Sequence, residues 1–262
     1  MADLHVPTLA AEPLFEIAGW PITNSVIGTW IAMVVLIAIL WAGARKPQLV
    51  PGHAQSALEQ AIDGIRGVVN SVMEDEKLTN RYLPLILTIF LFVLVVNWVG
   101  LLPGFGTIGT YHEGELVPYL RAGSSDLNLT FAMSGVAFLV AQLSGIVLIG
   151  LFKYFNKFIN LGTLFKKPIH WKNFALFIPM FLLGLIELIS EIAKFVALSF
   201  RLFGNIYAGE VLLIVFGTLL PVFVPLSGPF YLLEVFVGLI QAFVFAMLTI
   251  VFIKIASLAE EH

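Results

Sequence analysis

Long apolar runs alternate with short polar segments along this chain. Five apolar blocks stand out, at 25–44, 82–102, 129–152, 173–220 and 229–257. A helix needs about 20 apolar residues to cross a bilayer. The first, second, third and fifth blocks therefore predict one crossing each. The fourth has 48 residues and predicts a helix roughly 72 Å long, against a hydrocarbon core of about 30 Å. Segment 52–76 carries a different pattern. Ala54, Ala57, Leu58, Ala61, Ile62, Ile65, Val68, Val69 and Val72 recur at helical spacing, with Glu59, Asp63 and Arg66 on the opposite face. It predicts an amphipathic helix on the membrane surface, either a connector or a docking site for a partner. Residues 1–20 contain Asp3, Glu12 and Glu16, with no Lys, no Arg and no apolar run, which is not the pattern of a signal peptide. Loop 103–128 is Gly-rich and reads as an ordered external loop. No internal repeat or soluble domain is visible, so 1–262 is read as a single membrane domain.

Basic residues orient these blocks. Arg45, Lys46, Arg66, Lys77 and Arg81 lie between the first two, Lys153, Lys157, Lys166, Lys167 and Lys172 between the third and fourth, and Lys254 at the end of the last. The opposite segments, 1–24, 103–128 and 221–228, contain only Arg121. The excess of Lys and Arg marks the cytoplasmic side, with the N-terminus outside and the C-terminus inside. This holds only if the fourth block crosses once. A straight helix of that length crossing once tilts by about 65°, beyond the usual range; Pro179 is a candidate kink. A long, nearly horizontal helix suggests a neighbour that is large and curved.

Composition agrees and narrows the field. Of 262 residues, 59% are hydrophobic and 12% charged, half the charged share of soluble domains, and the mean hydropathy is +0.97. The net charge of −3 offers no basic face for nucleic acid. There is no cysteine, and His5, His53, His112, His170 and His262 all lie outside the apolar blocks. Haem, iron–sulfur clusters and thiol chemistry are thereby excluded, and no metal or cofactor is expected. The fold class is an all-α polytopic membrane protein. It has five membrane-inserted helical segments, the last two forming a long, strongly tilted antiparallel hairpin, plus a cytoplasmic-surface amphipathic helix.

The candidate chemistry is in charges at membrane depth, which are costly and functional by default. The fourth block has Glu187, Glu191, Lys194, Arg201 and Glu210; the fifth has Glu234, with Gln241 beside it. At about 100° per residue, Arg201 shares a face with Asn205 and with the small residues Ala197, Gly204 and Ala208, which admit a close neighbour. Glu210 is about 180° away, and Glu187 is in phase but about 21 Å along the axis. The counter-ion of Arg201 is therefore expected from another subunit. In an antiparallel hairpin Arg201 falls level with Gln241, and Glu210 with Glu234. The two carboxylates then enclose a polar cleft near the external side, while Glu187 and Glu191 line a second cleft open to the inside. An arginine keeps its proton, so it would block leakage between the clefts. Plainer readings stand beside these. Arg201 could snorkel, Glu191 and Lys194 could form a simple helix pair, and Glu187 could be an interfacial carboxylate. Glu210 could be structural. Gln241 and Asn97 could be helix–helix glue, and Asp126 an N-cap.

The run from Ser199 through Arg201, Asn205 and Glu210, and the run from Ile240 and Gln241 to Thr249, resemble subunit a of the F-type ATP synthase. So do Pro51-Gly52, Pro84–Phe90, Asn97, Leu101–Pro103, Asp126–Thr130 and the ending Ala259–His262. The resemblance extends over nearly the whole chain. It implies a proton-conducting stator subunit, without a nucleotide site, beside a ring of c subunits; the short N-terminus without a transit-peptide pattern fits a bacterial inner membrane, as it would an organelle-encoded chain. The b-type peripheral stalk would be a second partner and the F1 head an indirect one. It implies that Arg201 attracts the ring carboxylate and separates two half-channels. Glu210 and Glu234, with Asp126 and Asn128, would serve the external half-channel and Glu187 the internal one. Asn205 and Gln241 would support the arginine, with Asn97 behind them. Some relatives carry histidine at the position of Glu234, an acidic residue at that of Gly100, or serine at that of Ala197. The rival classes are an independent secondary transporter or antiporter, which would show a repeat, and a structural subunit of a respiratory complex, which would tolerate loss of Arg201.

Overall fold

The computed structural model describes residues 10–45, 48, 50–112, 115–154, 171–219 and 224–257. Lys46, Lys157, Lys166, Lys167, His5, His170 and the ending 259–262, all used in the sequence reading, lie outside them.

The protein is mostly helical. Six helices follow in chain order: α1 (Asn24–Ala44), α2 (His53–Met73), α3 (Glu76–Gly100), α4 (Leu127–Ile149), α5 (Trp171–Leu219) and α6 (Val224–Ser257). Among the described residues, four helical stretches are long and apolar enough to cross a membrane: α1, α3, α4 and Gly228–Ser257 of α6. The 49-residue α5, with Glu187, Glu191, Lys194, Arg201 and Glu210 along it, is not among the four.

Hydropathy located these helices, and capping chemistry sets their ends. Helix α3 starts six residues before its apolar run because the Asp75 carboxylate accepts from the backbone N–H of Lys77 and Leu78. Such a cap satisfies donors that a helix N-terminus otherwise leaves open. Asp126 does the same for α4 by accepting from Asn128 N–H, and α4 stops at Gly150, whose φ is +93°. Pro179 and Pro229 lie inside α5 and α6.

Two antiparallel hairpins depart from the all-helical expectation. Strand β1 (Pro13–Ile17) pairs with β2 (Trp20–Thr23), and β3 (Gly109–His112) with β4 (Glu115–Pro118). The first turns on Ala18 and Gly19, both at positive φ (51° and 82°), the geometry that suits a two-residue hairpin. In the second, a Cβ on Gly109 would overlap the Val117 carbonyl, so glycine lets the strands approach. Backbone pairing satisfies polar groups in segments too short for a helix.

Helix α6 is the axis of the core. Its Ala242, Phe245, Ala246, Ile250 and Ile253 are completely buried. They belong to one apolar cluster with Ile86 and Val93 of α3, Ala137 and Ala141 of α4, Leu198 and Leu202 of α5, and Ile65 and Val69 of α2. A smaller cluster joins Ala32 and Leu36 of α1 to Val95, Val96 and Val99 of α3. At the far end of α6, Lys254 Nζ donates to the Val72 carbonyl at 2.6 Å and lies 3.2 Å from the Glu74 carboxylate. Glu74 is the left-handed residue (φ 57°) at which the chain turns from α2 towards α3.

Candidate functional site

Helix α5 presents its ionisable groups in three places. Arg201 is in the middle, on the exposed side of the helix with its small neighbours Ala197, Gly204 and Ala208. Among the described residues it makes no hydrogen bond or ion pair. Behind it the helix is anchored. Ser199 Oγ, fully buried, meets Ser134 Oγ of α4. Four residues beyond Arg201, Asn205 Nδ2 donates to Gln241 Oε1 of α6 at 2.7 Å. Gln241 is 3% exposed, and among the described residues its Nε2 has no hydrogen-bond partner.

Asn97 of α3 holds α6 from the other side. Its Nδ2 donates to the Gly238 carbonyl at 3.2 Å and its Oδ1 accepts from Ser124 Oγ at 2.8 Å. Next to it, Trp98 Nε1 donates to the Val235 carbonyl at 3.0 Å. Both acceptors lie between Glu234 and Gln241, so α3 fixes the stretch of α6 that carries both. This is the helix–helix bridging read for Asn97 from sequence.

The second place is the C-terminal part of α5. Glu210 accepts from Arg121 Nε, which lies 3.4 Å from each carboxylate oxygen. Glu234 is 6% exposed and lies against Gly209, so closely that a Cβ there would overlap its carboxylate. The two carboxylates predicted to share a cleft therefore border adjacent residues of α5. The contacts Asn205–Gln241 and Gly209–Glu234 lie within about one turn of the register expected from sequence. Asp126 is close by in sequence but differently engaged. Its Oδ1 accepts from Asn128 N–H at 2.9 Å and its Oδ2 from Ser25 Oγ at 2.6 Å. The N-cap reading describes these contacts, and the side chain of Asn128 is exposed.

The third place is the N-terminal half of α5. Glu191 is buried and accepts from Lys194 Nζ at 2.7 Å and from Gln142 Nε2 of α4 at 3.2 Å. This is the i, i+3 helix pair. Glu187 lies one turn away. Tyr154, which follows α4, faces this group; burial, with Glu191 and Glu187 beside it, pushes its phenol up to about 12.

The residue missed by sequence reasoning is Arg121. In the sequence it stands out only as the single basic residue of the three segments opposite the Lys- and Arg-rich side. That isolation was the available signal, but its partner lies 89 residues away.

A family model described as ATP synthase A chain matches residues 26–254. The chain belongs to the ATP synthase A chain family. Relatives named ATP synthase subunit a include one from Campylobacter fetus subsp. fetus, 36% identical over 88% of this chain and 89% of the relative. Another, from Moorella thermoacetica, is 31% identical over 92% of this chain and 93% of its own. A protein named ATP synthase subunit a 2, from Syntrophotalea carbinolica, is 33% identical over 89% and 85%. The stretch matched by the ATP synthase A chain family contains Asn97, Asp126, Asn128, Glu187, Arg201, Asn205, Glu210, Glu234 and Gln241, as well as Arg121.

Proposed function

We propose that this chain is the proton-conducting stator subunit of a rotary F-type ATP synthase. Two offset half-channels deliver protons to, and remove them from, carboxylates carried on a rotating c-ring. The observation that carries the reading is Arg201. A guanidinium on an exposed small-residue face, without an acidic partner among the described residues, needs its counter-charge from outside the chain. A ring carboxylate supplies it once per step. Arg201 cannot accept a proton, so protons pass between the half-channels only on the ring.

On the external side a proton enters by Glu210 and Glu234, with Asp126 and Asn128 at the margin. On the cytoplasmic side it leaves by Glu187. Asn205 and Gln241 steady the arginine, with Asn97 behind α6. The membrane potential contributes about 2.3 kcal/mol per proton per 100 mV. The chain is inserted in a bacterial inner membrane with its N-terminus outside and its C-terminus inside. Four crossing helices and a strongly tilted α5 make five inserted segments, and α2 lies on the cytoplasmic surface. Contacts of Asn205 with Gln241 and of Gly209 with Glu234 run in opposite senses along α5 and α6, which supports an antiparallel hairpin. The c-ring, a b-type peripheral stalk and, through it, the F1 head are the partners.

The test is ATP-driven acidification of vesicles holding the purified complex. Arg201→Ala is expected to abolish it while the complex stays assembled. Normal acidification by that variant would overturn the reading and favour an independent transporter.

A further inference from the structure

Arg121 is built into the protein with more care than a stray loop cation would need. It is 2% exposed, and a buried guanidinium is costly unless held. Residues 121–126 are buried throughout. A Cβ on Gly28 of α1 would overlap the Arg121 carbonyl, and one on Gly100 of α3 would press on Ala122. Gly106 N–H donates to the Leu120 carbonyl at 2.8 Å. The main chain under Arg121 is thus fixed to α1, α3 and the glycine-containing loop.

From that frame the side chain crosses to α5. Nε lies 3.4 Å from both oxygens of Glu210. Cζ is 5.9 Å from the Tyr207 ring centroid, within reach of a cation–π attraction. Nη1 donates to the Ala10 carbonyl at 3.3 Å, ahead of β1, and Nη2 is buried without a hydrogen-bond partner among the described residues. Among the described residues, the ionisable groups here include Arg121 from the segment before α4, Tyr207 on α5 itself, and Glu234 from α6 beside Gly209. Arg121 is the only permanent cation among them.

The form of the contact matters. Arg–carboxylate pairs that serve only as struts are commonly bidentate, at about 2.7–2.9 Å. Here a single N–H donates to one oxygen, at longer distance, and the second oxygen lies 3.4 Å away without a hydrogen bond. The carboxylate is aimed but keeps lone pairs for a proton.

We propose that Arg121 is a positioning residue for Glu210, holding its carboxylate side-on from a frame anchored in α1 and α3, on the side of α5 away from Arg201 and next to Glu234. This rests on the proton-conduction reading above. The arginine touches no transported proton; it determines where Glu210 offers its oxygens.

The test uses the complete complex in vesicles. Incorporation of the chain is measured alongside ATP-driven acidification for R121Q, R121K, E210D and R121Q/E210D. R121Q is expected to be incorporated normally but to pump roughly tenfold to a hundredfold more slowly, as expected for a misplaced reacting group. R121K is expected to recover most of the rate. In the E210D background the shortened carboxylate has already lost its hold, so R121Q should cost less than in the wild type. Wild-type pumping by assembled R121Q would overturn the proposal. So would a defect that R121K does not relieve, equal fold-losses in both backgrounds, or absence of R121Q from the complex. R201A run in parallel separates the two ideas. If R201A stops pumping and R121Q does not, only the present inference falls. If R201A pumps normally, the conduction reading falls first.

Discussion

Asn205 and Gln241 meet across the α5–α6 contact, the Nδ2 of the first donating to the Oε1 of the second at 2.7 Å. The same bond leaves Gln241 Nε2 buried and without a partner among the described residues, and an unsatisfied buried donor costs about 1–3 kcal/mol. Gln241→Leu therefore removes a liability together with an anchor. Thermal unfolding of the purified complex is expected to be unchanged or slightly higher. Acidification is expected to fall severalfold, because Asn205 loses its acceptor one turn from Arg201. A large drop in melting temperature would show that the bond serves packing instead.

Gly209 is required by the carboxylate it touches. A single added methyl overlaps Glu234, so Gly209→Ala must push that side chain away. Pumping is expected to fall by about tenfold or more. The second substitution Glu234→Asp draws the carboxylate back by one methylene, and partial recovery in the double variant is the expected result. Equal rates for Gly209→Ala and the wild type would mean that the α5–α6 contact yields at this point.

Asp126 receives two donors, Asn128 N–H and Ser25 Oγ. Losing an N-cap costs about 0.5–2 kcal/mol. Asp126→Ala is expected to lower the thermal stability of the subunit in the complex accordingly, and Asp126→Asn, which keeps an acceptor, by less. If pumping falls in Asp126→Asn without any loss of stability, the residue acts on the proton path as well as on the helix end.

Glu191 is buried with Lys194 as its cation. Breaking such a pair from one side leaves a carboxylate uncompensated, at a cost of a few kcal/mol, reduced here because Lys194 is partly exposed. Lys194→Gln is expected to impair incorporation of the chain, and Glu191→Gln/Lys194→Gln to restore it. Quantifying the chain in purified complexes distinguishes these outcomes from simple additivity.

The helices were legible because all but α2 contain a long apolar run and α2 shows a helical alternation of apolar and polar faces, and the phase of Arg201 against Asn205 and Glu210 followed from a regular helix alone. The N-cap role of Asp126 was equally readable, since it stands directly before an apolar block. The start of α3 was not, because its first turn is polar and is specified by Asp75 rather than by hydropathy. The hairpins escaped notice for a related reason. Ala18-Gly19 is not among the common turn signals, and segments 13–23 and 109–118 show no clean alternation. The Arg121–Glu210 pairing is tertiary. No local pattern links residues 89 positions apart, and only packing of the 121–126 segment on α1 and α3 brings them together.

Lys254 closes the molecule on itself. In the proposed function, a rotor pushing sideways on the exposed face of α5 would exert a reaction torque on this chain. That load passes into α6, the buried axis, and along it to the short tether where Lys254 grips Val72 and Glu74. In the proposed function, the stiffness of the motor's fixed half would then depend on this terminal clamp as well as on α5. Slackening it would let elastic energy dissipate in the stator before it performs work.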